Sequence, residues 1–210
     1  ELVLAREPSL ALAPISLAVF TQDIYATPEM IKNIVSQVRM LIATNDLQKA
    51  RLLMSNLGSD ITLRVTNLPL ATYPSAIKLA ASLIGQKEFD KAQKTLKTAL
   101  ATLVITTEVI PLPYIRSESL LATIEIYSKE QIDNQVKDKN DRLAAINIML
   151  HAIREELNLA ENLGYAKKHE HKPVYKALDS IEKKINKNKP IQDDLFEAKK
   201  YLLELISKGV

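Results

Sequence analysis

Two stretches of the sequence repeat each other at a distance of 42 residues: LIATNDLQKARLLM at 41–54 and LIGQKEFDKAQKTL at 83–96. They share four identical pairs, Leu41/Leu83, Ile42/Ile84, Lys49/Lys91 and Ala50/Ala92. The same offset places ITLRVTNLPL (61–70) on LVITTEVIPL (103–112), with Pro69 matched to Pro111. This pattern indicates an internal duplication, in which each copy is one supersecondary unit. Each copy is predicted to contain a helix, a tight turn, a second helix and a short β-prone tail that ends at proline.

The first copy, residues 27–72, opens with a helix start signal: Thr27 as N-cap, Pro28 at the first helical position and Glu29 as an early acid. The second copy, residues 73–113, opens near Pro74 and is predicted to turn at Gly85. Each copy therefore predicts a helical hairpin. The tails 61–70 and 103–112 are rich in Ile, Val and Thr, and we expect them to pair as a two-stranded ribbon packed on the helices.

Residues 114–210 are predicted to be helical. Ser117 is expected to cap one helix, KDKND at 137–141 to form a loop, and Pro173 to begin a helix that ends near residue 188. Between the last two, apolar residues step by three and four: Leu143, Ile146, Leu150, Ile153, Leu157 and Ala160. Such a narrow stripe favours packing against one neighbouring helix. The fold class expected is mainly α: a bundle of about seven helices with a minor two-stranded β ribbon, in one domain over 27–210.

The N-terminal segment 1–26 has no firm assignment. SLALAPISLAVF at 9–20 follows Arg6 and is similar to the apolar region of a secretory signal, but Pro14 interrupts it. We interpret it as a packed N-terminal strand or a short helix. Because the first residue is Glu1 rather than Met, we expect that the N-terminus was processed. No run of 18 apolar residues is present, so no transmembrane segment is predicted.

Composition argues against several classes of enzyme. Cysteine is absent, which removes disulfides, thiolate zinc sites and cysteine nucleophiles. The four glycines each follow an apolar-periodic segment, as helix caps do, so none is left for a dinucleotide fingerprint or a P-loop: Gly58, Gly85, Gly164 and Gly209. No GxSxG nucleophile elbow is present. We therefore expect a non-enzymatic protein with no catalytic residues, no cofactor and no metal.

The three histidines are the remaining candidates for chemistry. His151 is predicted on the wet side of the long helix, with Glu155 one turn away. His169 and His171 lie in KKHEHK at 167–172, where two imidazoles could bind one metal but an evident third ligand is missing. We interpret this segment, together with Tyr165, as a solvated loop that responds to pH or holds a ligand.

Two lysine-rich runs, at 167–172 and 183–189, could form a basic patch on the C-terminal half. The net charge of the whole chain is only +3, and neither run contains arginine. Nucleic-acid binding by a cytoplasmic protein is therefore a minor alternative.

The hairpins resemble tetratricopeptide units, in which small residues such as Ala50 and Ala92 let two helices approach. The period of 42 residues exceeds the usual period of about 34, and the β-prone tails depart from that pattern. This resemblance implies a scaffold for peptides or proteins.

The order of parts resembles the YfdX family of bacterial envelope proteins more closely. It consists of the hairpins with NDLQKA and KEFDKA, the strand-proline element TEVIPLP (107–113), a long helix ending in AENLGY (160–165) and a closing pair of helices. The resemblance covers residues 28–206, and residues 1–26 have no counterpart in it.

The YfdX resemblance implies a mostly helical fold with minor β structure, export to the periplasm, self-association as a homo-oligomer and a link to acid or other envelope stress. It supplies no catalytic residues. We therefore expect a non-enzymatic envelope protein that binds protein partners or small amphipathic ligands between helices. A tetratricopeptide-like scaffold and a nucleic-acid-associated protein are the alternatives.

Overall fold

The computed structural model of the chain describes residues 11–24, 26–129 and 139–207. Within them, three strands and eight helices follow one another: β1 (Leu12–Gln22), α1 (Pro28–Ala43), α2 (Leu47–Met54), β2 (Asp60–Pro69), α3 (Tyr73–Gly85), α4 (Phe89–Leu100), β3 (Val104–Pro111), α5 (Leu112–Lys129), α6 (Lys139–Leu163), α7 (Lys168–Asn186) and α8 (Gln192–Ser207). The mainly helical fold is confirmed. The expected counts of about seven helices and two strands were each one too low.

The additional strand comes from the apolar N-terminal stretch. The sheet is antiparallel with the order β1-β2-β3, so the two predicted tails pair as β2 and β3, and β1 adds an edge. An edge strand tolerates Pro14, because it need not donate a ladder hydrogen bond on its outer side. The expected packing of this stretch is wrong, since Ile15, Leu17 and Val19 are 55%, 63% and 55% exposed.

The turns of the two helical hairpins have the same backbone geometry. Asn45 and Lys87 occupy the left-handed region, with φ of 60° and 62°. The same hydrogen bond closes each turn: Asp46 N–H donates to Leu41 O at 2.8 Å, and Glu88 N–H donates to Leu83 O at 2.9 Å. The left-handed residue of the second turn is thus Lys87 rather than the predicted Gly85, which ends α3 in helical conformation.

The start of the second helix is also alike in the two hairpins. Asp46 and Glu88 each pair with the lysine three residues later, Lys49 at 2.6 Å and Lys91 at 2.7 Å. Ala50 and Ala92 are each 3% exposed, as small residues between two close helices should be. The origin of the two copies by duplication stays a prediction.

Residues 11–20 and 62–108 lie in one compact unit, which contains α3, α4 and most of the sheet. Asn67 ties β2 to β3, because its buried amide donates to the carbonyls of Val65 and Val104, both at 3.3 Å. The Arg64 guanidinium lies 5.6 Å from the centroid of the Phe20 ring, which adds a cation–π contact between β1 and β2.

Residues 21–61 and the described residues from 109 onward lie in a second compact unit, which contains α1, α2 and α5–α8. Its core lies among α5–α8. The predicted stripe on α6 is buried from Ile146 to Ala160, but it packs against α5 and α7 of the same chain rather than against one helix, and α1 also contacts α6. The domain boundaries drawn from the sequence stay a prediction.

Two helices begin earlier than predicted. α5 begins at Leu112 because proline is tolerated in a first helical turn, and the Ser117 hydroxyl donates to Pro113 O at 2.8 Å instead of capping. α7 begins at Lys168 rather than Pro173, since the Glu170 carboxylate accepts the N–H of Lys167 at 2.8 Å.

The predicted loop at 137–141 lies partly outside the described residues and is helical from Lys139 onward. Gly209 also lies outside them.

Replacing Lys87 by glycine should stabilise the α3–α4 hairpin by about 0.5–1 kcal/mol, because a left-handed lysine is strained where glycine is not. Asn45→Gly should change the free energy of unfolding by less than about 0.5 kcal/mol, since asparagine tolerates this conformation. Urea denaturation followed by far-UV circular dichroism measures both. Lys78→Gly in the middle of α3 is the control and should destabilise by about 1 kcal/mol. A destabilising Lys87→Gly would contradict the turn geometry.

Candidate functional site

The most unusual polar group is a histidine in the middle of the helical core. His171 of α7 is completely buried. Its Nδ1 lies 3.2 Å from Oε1 of Glu161 on α6, and its Nε2 lies 2.9 Å from Oη of Tyr114 on α5. An ionised carboxylate only accepts hydrogen bonds, so Nδ1 donates to Glu161 while Nε2 accepts from the Tyr114 hydroxyl. We call Tyr114, Glu161 and His171 the buried triad.

The surroundings of the buried triad favour an uncharged imidazole. Burial lowers the pKa of His171, and the hydrogen bond and charge of Glu161, followed by the charge of Glu170, offset only part of this effect. Burial also raises the pKa of Tyr114, with a further contribution from the same two carboxylates. Tyr175 closes the site from α7, with its ring edge-on to the imidazole at a centroid distance of 6.4 Å. Burial raises the pKa of Tyr175 to about 12.

The histidine and the tyrosine of the buried triad are closed to solvent, whereas the Glu161 side chain is 19% exposed and borders a cavity of about 320 Å³ next to α1. Tyr114 and His171 each have 0% exposed surface. A reactant could therefore reach only the Glu161 carboxylate, because a general acid or base needs hydrogen-bond reach of the reacting atom. This arrangement can affect the packing of α5, α6 and α7, and in this conformation its histidine and tyrosine offer no surface to a reactant.

Tyr165 belongs to a different polar network. It follows α6, and its hydroxyl donates to Oδ2 of Asp60 at 2.7 Å. The Tyr165 hydroxyl oxygen in turn accepts the N–H of Ser59 at 2.7 Å, and Ser59 is completely buried. Because Ser59 O accepts the N–H of Leu112 at 2.8 Å, this serine also connects the start of β2 to the start of α5.

Arg116 of α5 extends that network to two more carboxylates. Its Nη1 donates to Oδ2 of Asp23 at 3.0 Å, and its Nε donates to Oε1 of Glu156 on α6 at 2.8 Å. The Ser59 hydroxyl donates to Oδ1 of Asp23 at 2.6 Å. Burial raises the pKa of Asp23, but the Ser59 hydroxyl and the Arg116 charge outweigh it and lower that pKa overall. We call Asp23, Ser59, Arg116, Glu156 and Tyr165 the Arg116 network.

The three site residues predicted from the sequence do not come together. Tyr165 lies in the Arg116 network, His171 lies in the buried triad and His169 is exposed. His169 borders a cavity of about 400 Å³ between α7 and α8, whose lining also contains Lys172, Lys176, Asp194, Glu197 and Tyr201. The predicted loop is a helix, so two histidines at i and i+2 point apart and cannot share a metal. A role of these residues in pH response or ligand binding stays a prediction.

Other polar features can also be placed. His151 is exposed, and its Nε2 lies 3.9 Å from Oε1 of Glu155, which confirms the predicted surface position. Lys184 of the second basic run pairs with Asp194 of α8 at 2.6 Å, so part of that run is neutralised. Among the described residues, no group of three or more His, Asp or Glu side chains could hold a metal ion.

Most partners in the buried triad and the Arg116 network were not predicted from the sequence: Tyr114, Glu161, Ser59, Arg116 and Asp23. One sequence signal for a buried polar site was nevertheless present. His171 is in phase with Val174, Leu178 and Ile181, all buried on one face of α7. A histidine on an apolar stripe has to find partners inside the core. Its partner Tyr114 lies 57 residues away and Glu161 lies 10 residues away, and no local pattern connects either of them to His171.

Three comparisons with known proteins bear on the identity of the chain. The family model described as YfdX protein matches residues 1–109, just over half of the 210 residues. The match includes residues 1–26, which the resemblance seen in the sequence did not cover, and it ends before α5. No curated protein and no solved structure gives a significant match.

None of the helices in the described part of the chain is both long and apolar enough to cross a bilayer.

Replacing Tyr165 by phenylalanine should destabilise the second compact unit by about 1–3 kcal/mol, because the buried N–H of Ser59 loses its acceptor. Thermal and urea denaturation measure the change. Tyr127→Phe, at an exposed position of α5, is the matched control and should stay within about 0.5 kcal/mol of the wild type. Equal effects of the two substitutions would show that the Arg116 network does not depend on this hydroxyl.

Proposed function

This chain belongs to the YfdX family, and we propose that it is a non-enzymatic protein of the bacterial envelope that contributes to tolerance of acid or other envelope stress. It acts in the periplasm as a homo-oligomer and binds protein partners or small amphipathic ligands. The observation that carries the proposal is the buried triad, because a neutral histidine in a helical core makes core packing depend on pH.

The sign of this dependence follows from proton linkage. Burial lowers the pKa of His171 in the folded chain below the value of about 6.5 of an unfolded histidine. As the pH falls through about 6.5, the unfolded chain takes up a proton that the folded chain does not. The free energy of unfolding therefore falls by up to about 1.4 kcal/mol per pH unit until the folded pKa is reached. Mild acid loosens the core.

Stronger acid acts on paired carboxylates. Hydrogen bonds from Lys129 and from Lys199 of α8 lower the pKa of Glu125 to about 2, and the pKa of Asp23 is also lowered. Stability from such groups is present above the ordinary carboxyl pKa of about 4 and is lost as the pH falls towards the folded value. Below this range, 28 lysines and arginines and three histidines repel one another with few remaining carboxylates.

The self-association in this proposal is supported by β1. Among the described residues it is an edge strand, with no neighbouring strand on its outer side, and Leu17 and Phe20 are 63% and 54% exposed. An open apolar edge favours pairing with another strand, which natural proteins otherwise block. A second copy of the chain would cover it.

Replacing His171 by glutamine should flatten the pH dependence of stability between pH 7 and pH 5, because glutamine can bond both partners but does not titrate. The wild type should lose stability across this range, whereas the variant should be less stable at pH 7 and nearly constant below it. Urea denaturation at each pH measures the slope.

His169→Gln, two residues away and exposed, is the matched control and should keep the wild-type slope. A wild-type slope in His171→Gln would remove the triad from the acid response. A flat wild-type profile would remove the basis of the proposed function itself.

At pH 3 the wild type should change either its oligomeric state or its tertiary packing, because carboxylate pairing is failing and the chain is strongly cationic. Light scattering reports the mass, and near-UV circular dichroism reports the packing around the seven tyrosines. An unchanged mass together with an unchanged near-UV signal, relative to neutral pH, would contradict the proposal.

A further inference from the structure

A groove of about 690 Å³ runs along the α3–α4 hairpin, within the first compact unit. Leu79, Leu83, Ala76 and Ala99 give it an apolar surface, and Lys91 and Lys94 lie on its α4 side. Its volume falls in the range of about 300–1,000 Å³ that is typical of small-molecule sites. Neither the buried triad nor the Arg116 network contributes to it.

Two side chains that line the groove are smaller than their counterparts in the first hairpin. With the offset of 42 residues, Ala76 corresponds to Ile34 and Thr95 corresponds to Leu53. Ile34 and Leu53 are half-buried in α1 and α2. Since the two turns have the same geometry, the smaller residues leave a space along α3 and α4 that the first hairpin can fill.

The charges at the groove have one sign. Lys91 and Lys94 are three residues apart, hence neighbours on the surface of α4. Lys91 pairs with Glu88 at 2.7 Å, which neutralises part of its charge, so the net positive charge lies mainly at Lys94. None of the residues described as lining the groove is acidic. A ligand with a negative headgroup is therefore favoured over a neutral or cationic one.

The lysines lie towards one end of the groove, whereas apolar surface continues to the other end. Lys91 and Leu83 lie near the turn that joins the two antiparallel helices, whereas Tyr73 and Ala99 lie towards the open end of the hairpin. A headgroup at the lysines would leave its alkyl chain running along Leu79 and Ala76 towards Tyr73.

We propose that the α3–α4 groove is a binding site for a single-chain anionic amphiphile, such as an alkyl carboxylate, with its headgroup at Lys94 and Lys91 and its chain on the apolar surface. This inference rests on the proposed function in that both make the protein a binder of amphipathic ligands. It adds the site and the charge of the ligand.

The test is calorimetric titration of the full-length protein at neutral pH with decanoate, below the concentration at which decanoate forms micelles. Decyltrimethylammonium has the same chain length and the opposite charge. Decanoate should bind in one-to-one stoichiometry, and the cationic amphiphile should bind at least about tenfold more weakly, because it meets lysines instead of carboxylates.

Two sets of variants place the ligand. Ala76→Ile combined with Thr95→Leu fills the groove with the residues of the first hairpin and should weaken decanoate binding at least about tenfold. Thr95→Leu alone is the second variant if the pair disturbs folding, as far-UV circular dichroism will show. Lys94→Met should weaken binding about three- to fivefold, as expected for an exposed charge pair. Lys97→Met, on the same helix but outside the groove lining, should leave affinity unchanged.

Three results would overturn the proposal: no heat with decanoate, equal affinity for the two amphiphiles, or full affinity in the groove-filling variants. A change of sedimentation mass in those variants would also overturn it, because it would assign the groove to contact with a second copy. These failures differ from failure of the proposed function. If the protein does not bind decanoate but keeps the His171-dependent acid slope, only the groove proposal fails. If it binds decanoate but its stability does not change with pH, the proposed function loses its basis and the groove proposal stands.

Discussion

One buried imidazole sets the packing of the helical core. His171 joins α7 to α6 through Glu161 and to α5 through Tyr114, so a single side chain fixes three helices by two hydrogen bonds. Burying such a group without partners costs about 2–7 kcal/mol, so the three side chains are needed together. Two directed hydrogen bonds to one ring add a constraint on the register of the three helices beyond that of the apolar packing. The apolar contacts of Leu150, Leu157, Leu178 and Leu202 then supply most of the burial.

The two hairpins show how one local design serves two environments. Their turns agree in the left-handed residue, the closing hydrogen bond and the first ion pair, all of which depend on residues within a few positions of each other. Their outer surfaces differ because those depend on what the chain places next to them. The first hairpin has α1 packed against α6, while the second carries the smaller Ala76 and Thr95 and keeps an open groove. Shared turn chemistry thus leaves the outer faces of the two hairpins free to differ.

Local patterns predicted much of this fold. The Thr27–Pro28 start of α1 is confirmed, with the Thr27 hydroxyl accepting the N–H of Met30, and the three-four stripe of α6 is buried as expected. These features depend on residues within one or two turns. The N-terminal stretch was interpreted as a strand or a short helix, and the strand alternative is confirmed by β1. Its place as a third strand of the sheet was not predicted, because an edge strand that contains Pro14 gives a weak pattern. The early start of α7 was not predicted, because a cluster of charged residues is typical of a solvated loop. In the structure Glu170 caps the helix there.

Residues of the candidate site were named from the sequence, but their partners and their burial were not predicted. His171 was singled out for pH response, but as part of a solvated loop. Its phase with Val174 and Leu178 indicates burial, whereas its partner Tyr114 lies 57 residues away in the sequence. Likewise Tyr165 meets Asp60 across 105 residues. Such pairs arise only when distant parts of the chain come together in the fold, and no local pattern in a single sequence indicates them.

The triad also explains why Glu161 does not simply hold His171 in its charged form. Protonation would place a hydrogen on Nε2, which would then donate to Tyr114 instead of accepting from it. The Tyr114 hydroxyl would have to find another acceptor, yet Tyr114 has no exposed surface at which water could serve. The gain from an ion pair with Glu161 is therefore set against an orphaned hydroxyl and the desolvation of an imidazolium. That balance ties protonation of His171 to separation of α5 from α7, so acid acts on the packing rather than on a surface charge.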